Sequence, residues 1–219
     1  MNIAGKAILV TGANRGIGQA LVAEALRRGA GRVYAGTRRP LAHPDERVTP
    51  IPLDVTDPAQ IRDAAGQIGS LDILISNAGI QPFDDLTDPA VIEQALDVNL
   101  FGTYRVIQGF LPMLTRSRGT IVNNLSLLAL APLPLIPAYS ISKAAAFSMT
   151  QSLRGLQIPK ASPESVAGAI FDAVGRGEED IFPDPMTQSI AGSWRGGPAK
   201  ALERQNAALL RPQPSTVRG

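Results

Sequence analysis

Short runs of consecutive apolar residues recur along the chain at 6–10, 32–35, 48–53, 71–76 and 119–125. Each is apolar almost throughout, with little alternation. Strands read this way when helices cover both faces of their sheet. Between them lie stretches with helical spacing. In 17–28 the positions Ile17, Leu21, Ala25 and Arg28 share one face, and Gly29 supplies a C-terminal stop. Two longer helical patterns cover 89–114 and 138–156. A further helix is predicted over 163–174, with Ser162 at its N-cap and Glu164 and Ser165 in its first turn. Residues 179–182 read as a last strand. The remainder, 187–219, mixes Gly, Pro and Arg around one helix at 199–210. Strands that alternate with helices predict an α/β fold with a doubly wound parallel sheet. We expect a single domain over 1–210 and a frayed tail over 211–219.

Composition narrows the function classes. A chain of 219 residues with 44% hydrophobic content suits one globular domain. The formal net charge is only +2 and the Lys and Arg residues are scattered, so no basic face for nucleic acid is expected. There is no Cys, which removes disulfides, thiolate metal sites and thiol nucleophiles. The N-terminal apolar run is too short for a signal peptide, and no stretch approaches the roughly 20 apolar residues of a membrane span. These features predict a soluble, cytoplasmic protein without membrane partners. His43 is the single histidine, in a Pro-flanked stretch, and reads as a solvated loop residue; no metal site is expected.

The first apolar run passes directly into Thr11-Gly12-Ala13-Asn14-Arg15-Gly16-Ile17-Gly18. Glycines there let the backbone turn tightly from strand to helix and let a pyrophosphate approach with no Cβ in the way. The helix that starts near Gly16 would offer its free N–H groups and positive dipole end to the phosphate. An ordinary tight turn is the plainer reading. The position of these glycines, after a strand and before a helix, favours a nucleotide.

An acidic residue at the end of the second strand would bind the ribose 2′-hydroxyl of NAD. The sequence there is Tyr34-Ala35-Gly36-Thr37-Arg38-Arg39, with no carboxylate. Arg38, together with Arg15, could hold a 2′-phosphate through forked, charge-assisted hydrogen bonds. Unless both are simply solvated, NADP(H) is the expected cofactor, with NAD second.

Further along, Tyr139-Ser140-Ile141-Ser142-Lys143 sets a tyrosine and a lysine one turn apart on the same helix face. A phenol with an ordinary pKa of about 10 is a poor proton carrier at neutral pH, and a neighbouring ammonium favours its anion. Ser126 follows the fifth apolar run. It should therefore stand at the carboxyl edge of the sheet, where ligands bind in open α/β folds, and could polarise a carbonyl.

Taken together, the glycine turn, Asn77-Ala78-Gly79 after the fourth run, Asn99, Ser126 and Tyr139-x-x-x-Lys143 resemble, in order and spacing, the motifs of the short-chain dehydrogenase/reductase family. The likeness extends from Lys6 to about Arg154. It implies a Rossmann-like fold and hydride transfer between NADP(H) and a small carbonyl or alcohol substrate. In that family's terms Tyr139 would be the general acid and base, and Ser126 would hold the substrate oxygen. Lys143 would act on Tyr139 and on the nicotinamide ribose, and Asn99 would anchor a water that joins Lys143 to solvent. Gly12, Asn14, Arg15, Gly16, Ile17 and Gly18 would cradle the pyrophosphate. Asp54 and Val55 would contact the adenine, and Asn77, Ala78 and Gly79 would lie along the adenosine ribose. A homodimer or homotetramer is implied through the two long helices.

The chain departs from the family after the Tyr-x-x-x-Lys helix. Members of the family continue into a sixth strand, a Pro-Gly motif and a Thr-containing loop that covers the substrate. Here Ser152-Leu153-Arg154-Gly155 runs straight into Leu156-Gln157-Ile158-Pro159, so the sixth strand and the substrate-loop block read as missing. In a sheet buried on both faces that omission would leave backbone groups unpaired, so residues 179–182 are expected to move in beside 119–125. An open substrate site would follow. The alternative function is then a catalytically impaired, NADP-binding or interaction protein of the same fold.

Overall fold

The computed structural model describes residues 3–153, 176, 180 and 185–208. Strands β1 (Ala7–Thr11), β2 (Arg32–Thr37), β3 (Val48–Pro52), β4 (Ile73–Ser76) and β5 (Thr120–Asn123) form one sheet in the order β3-β2-β1-β4-β5. All the pairings are parallel, with Val10 opposite Ala35 on one side and Ile75 on the other. β1 is central, and every residue in it is buried, which accounts for its unbroken apolar run.

Helices pack on both faces. Alternate residues of β1 point to opposite sides, and each side has its own core. Ile8 and Val10 join Val22 and Ala25 of α1 (Gly16–Arg27), with Val33 and Ile73. Leu9 and Leu74 join Ile61 and Ala64 of α2 (Pro58–Gln67), with Val106, Ile107 and Phe110 of α4 (Thr103–Ser117). Burial of each large side chain here contributes roughly 1.5–3 kcal/mol. Two cores divided by one parallel sheet make a Rossmann-like, doubly wound α/β fold.

The chain moves outward from β1 through β2 to β3, then returns to pair β4 on the other side of β1. That reversal opens a crevice beyond the carboxyl ends of β1 and β4, the place where such sheets bind ligands. It is held by Thr11, whose Oγ1 accepts from the N–H groups of Asn77 and Ala78, both at 3.0 Å.

Several elements differ from the sequence expectation. Helix α2 was not anticipated: its core stripe is only Ile61 and Ala64, and its signal is the cap. Asp57 accepts from the N–H groups of Ala59 and Gln60, and Pro58 occupies the first position. The helix expected over 89–114 is α3 (Pro89–Leu96), a π-helical turn (Asp97–Gly102) and then α4. The Tyr-Lys helix α5 is Pro137–Ser152 and follows a 3₁₀ turn, Leu127–Ala129. Near the end, an unanticipated helix α6 (Pro185–Arg195) precedes α7 (Pro198–Ala208). The helix expected over 163–174, the departure point after Leu153 and the tail beyond residue 210 lie outside the described residues. So does the expected strand over 179–182 apart from Asp180, whose carboxylate pairs with Lys200 at 3.1 Å.

Candidate active site

The crevice is a cleft of about 1260 Å³. One wall is the turn between β1 and α1. Gly12 and Gly16 adopt φ of 65° and 52°, in the left-handed region that glycine enters without strain. A Cβ on Gly18 would stand 2.0 Å from the Gly12 carbonyl oxygen, so helix and strand meet too closely for any side chain there. A Cβ on Gly16 would meet nothing within 4 Å, because it would point into open space. Unlike α2 and α3, which are capped by Asp57 and Asp88, α1 receives no side-chain cap. Its first N–H groups and its dipole are thus offered to the cleft, an arrangement suited to a phosphate.

At the end of β2, Thr37, Arg38 and Arg39 line the same cleft, and both arginines are exposed. The Thr37 hydroxyl is buried without a hydrogen-bond partner among the described residues. An orphaned hydroxyl beside two arginines fits a polar, anionic occupant. Asp54 and Val55 also line the cleft. Asp54 Oδ1 accepts from the N–H and Oγ1 of Thr56, which fixes the turn after β3. Asn77, Ala78 and Gly79 line the cleft directly beside the glycine turn, and Asn77 Nδ2 donates to the Thr11 carbonyl at 3.1 Å.

Ser126, Tyr139 and Lys143 also line this cleft. Strand β5 ends at Asn123, so Ser126 lies beyond it and caps the 3₁₀ turn. Its Oγ accepts from the Leu128 N–H at 3.1 Å, which leaves its own O–H to donate. Lys143 Nζ lies 5.6 Å from the centre of the Tyr139 ring and donates to the Asn124 carbonyl at 2.8 Å. No carboxylate pairs with Lys143 among the described residues, and burial pushes its ammonium below the ordinary lysine pKa.

Asn99 stands behind the cleft wall, within the π-helical turn and almost fully buried. Its side chain bonds the N–H and C=O of Ile80 and the hydroxyl of Ser142, one residue before Lys143. Its carbonyl accepts from Thr103 Oγ1 at 3.0 Å. The leucines after Ser126 are not core: Leu127 is 61% and Leu130 41% exposed. Thr11, Asn124 and Ser142 were missed in the sequence because they act through one-to-one contacts that no spacing marks. His43 is a surface residue whose Nδ1 accepts from the Asp45 N–H. No helix among the described residues is long and apolar enough to cross a membrane.

A model of the short chain dehydrogenase family matches residues 6–160. The chain belongs to that family. The short chain dehydrogenase pigC of Monascus ruber is 33% identical over 172 residues, covering 68% of this chain and 57% of pigC. Estradiol 17-beta-dehydrogenase 2 of Mus musculus is 36% identical over 157 residues, covering 64% of this chain and 41% of that protein. The chain thus spans about half the length of the curated relatives it matches first. Among solved structures, a short chain dehydrogenase from Burkholderia cenocepacia J2315 in complex with NADP is similar with a TM-score of 0.71 and 32% identity. That match covers 97% of this chain and 100% of the other. An alcohol dehydrogenase from the archaeon Thermococcus sibiricus, complexed with 5-hydroxy-NADP, shares the fold at 24% identity and a TM-score of 0.61, covering 68% and 70% of the two chains.

Proposed function

We propose that this short-chain dehydrogenase transfers a hydride between NADP(H) and a small carbonyl or alcohol compound. The observation that carries the reading is the shared cleft: Ser126, Tyr139 and Lys143 line the cavity that the glycine turn and Arg38 also line. The uncapped α1 terminus would receive the pyrophosphate, and Arg38 with Arg15 the 2′-phosphate. The NADP bound to the Burkholderia cenocepacia relative supports that choice. When bound, the cofactor supplies or accepts the hydride.

The protein's own part is proton transfer and orientation. In reduction, Tyr139 Oη gives its proton to the carbonyl oxygen; in oxidation it takes the alcohol proton back. The Ser126 O–H donates to the same oxygen and keeps it within reach of Tyr139. Lys143 balances the charge on Tyr139 Oη after the proton has left. Asn99 secures this helix through Ser142 and, through a water, would link Lys143 to solvent.

A second reading is nucleotide binding without productive turnover. The exposure of Leu127 and Leu130 beside Ser126 favours it, since an open site excludes water poorly. One experiment separates the two. NADPH consumption is followed with ketones, aldehydes and quinones, with Tyr139→Phe as control. Turnover that disappears in the variant supports the oxidoreductase; NADPH binding with no turnover on any compound supports the second reading. Tighter binding of NAD than NADP would overturn the role given to Arg38. We further place the protein in the cytoplasm as a homodimer or homotetramer built through α4 and α5. The exposed Phe101, Tyr104 and Leu111 support such contacts, and sedimentation velocity tests them.

A further inference from the structure

Helix α5 carries Tyr139 on its first turn, yet no residue of its own caps it. Ile136 stands before the helix, without a side-chain oxygen to offer, and Pro137 occupies the first position. The N–H of Ala138 donates instead to Asp84 Oδ2 at 3.1 Å, across a sequence separation of 54. Asp84 belongs to the segment between β4 and α3, which lines the cleft with Ile80 and Gln81 before it reaches the helix. The other oxygen of the carboxylate, Oδ1, accepts from the Leu86 N–H at 3.2 Å. Leu86 has φ of 66°, a conformation that a side chain disfavours and that its surroundings must hold in place. A single carboxylate therefore ties a strained turn of the cleft-side segment to the peptide just before Tyr139.

We propose that Asp84 is a positioning residue for Tyr139, holding the first turn of α5 in place from the segment that follows β4. The proposal rests on the oxidoreductase reading above. Helix ends fray unless their leading N–H groups find acceptors. If this cap is lost, Tyr139 is free to leave its place over Lys143 while the nucleotide wall stays intact. The chemical step should suffer, and binding should not.

The test compares Asp84→Ala with Asp84→Asn in the full chain. Asparagine keeps an acceptor oxygen for the Ala138 N–H, and the two residues cap helices about equally well. Asp84→Ala should lower kcat about ten- to hundredfold, the scale of a displaced catalytic group. NADPH affinity and KM should stay near the wild-type values. Asp84→Asn should restore most of kcat. Hydrogen exchange of the Ala138 amide should quicken in Asp84→Ala and remain slow in Asp84→Asn. Wild-type turnover that vanishes in Tyr139→Phe secures the reaction itself. On that background, Asp84→Ala at wild-type kcat, or an asparagine variant as impaired as the alanine one, overturns the role of Asp84 alone. A wild-type protein with no turnover overturns the oxidoreductase reading and with it any role in positioning a catalytic tyrosine. Unchanged exchange in Asp84→Ala overturns the cap whatever the turnover.

Discussion

The side-chain amide of Asn99 donates to the hydroxyl of Ser142 at 2.8 Å, and that hydroxyl donates to the Tyr139 carbonyl at 2.7 Å. The π-helical turn is thereby pinned to the helix that carries the tyrosine and the lysine. The same amide bonds both backbone groups of Ile80 at 2.9 Å. Every polar atom of the Asn99 side chain is thus engaged, as a residue 1% exposed requires.

Asn99→Ala would orphan the Ile80 N–H and C=O and take away the donor to the Ser142 hydroxyl, which keeps its own bond to the Tyr139 carbonyl. Each buried unpaired group costs about 1–3 kcal/mol, so we expect a loss of about 2–4 kcal/mol in urea unfolding. Ser142→Ala, which removes one partner, should cost about 1–2 kcal/mol. Equal midpoints for wild type and Asn99→Ala would show that water replaces these bonds at no cost.

The glycine turn separates space from conformation. Gly18→Ala forces a Cβ onto the Gly12 carbonyl oxygen, and the neighbouring backbone has little room to yield. We expect a loss of about 3 kcal/mol or more, seen as a lowered thermal midpoint. Gly16→Ala meets open space, and its φ of 52° adds only about 1–2 kcal/mol. Its main effect should be on the ligand, with NADPH affinity about tenfold weaker or worse, equivalent to roughly 1.4 kcal/mol or more. If Gly16→Ala leaves nucleotide titrations unchanged, the phosphate does not sit at this turn.

The sheet and most of the cleft were legible because their signals are local. Unbroken apolar runs mark strands buried on both faces, and glycines between a strand and a helix mark a phosphate turn. The π-helical turn was invisible for a physical reason. Its buried positions Asn99 and Gly102 continue the spacing of Ala95, Val106 and Phe110, so the pattern reads as one straight helix. Helix α2 hid because alanine makes a weak stripe, although Asp57-Pro58 announced its start. Asp84 and Thr11 could not be read at all: each acts on residues 54 to 67 positions away, and only the folded chain brings them together.

Cofactor choice should turn on the end of β2. A charge-assisted pair to a phosphate contributes about 1.5–3 kcal/mol. Arg38→Ala should therefore weaken NADPH binding about ten- to hundredfold and leave NADH nearly unaffected. Thr37→Asp places a carboxylate where a ribose hydroxyl would be bound and should raise NADH affinity as NADPH affinity falls. Fluorescence titration with both nucleotides measures the ratio. Equal losses for the two would assign Arg38 to the shared part of the cofactor.

Lys143 is held at a cost to the fold. Burial disfavours its ammonium, so its folded-state pKa lies below the ordinary 10.5. Below the folded-state value both folded and unfolded chains carry the proton, and the full penalty stands. As pH rises towards 10.5 the folded chain releases its proton first; the unfolded state then binds more protons, and stability grows with pH. Lys143→Met removes the charge and keeps much of the volume. It should match or exceed the wild type in urea midpoint at neutral pH, although the bond to the Asn124 carbonyl is lost, and it should have no turnover. The wild type should gain on the variant as pH climbs towards 10.5. A wild-type protein that is clearly more stable than Lys143→Met at pH 7, with the gap constant up to high pH, would mean that the ammonium is stabilised where it stands, with no burial penalty for a rising pH to relieve.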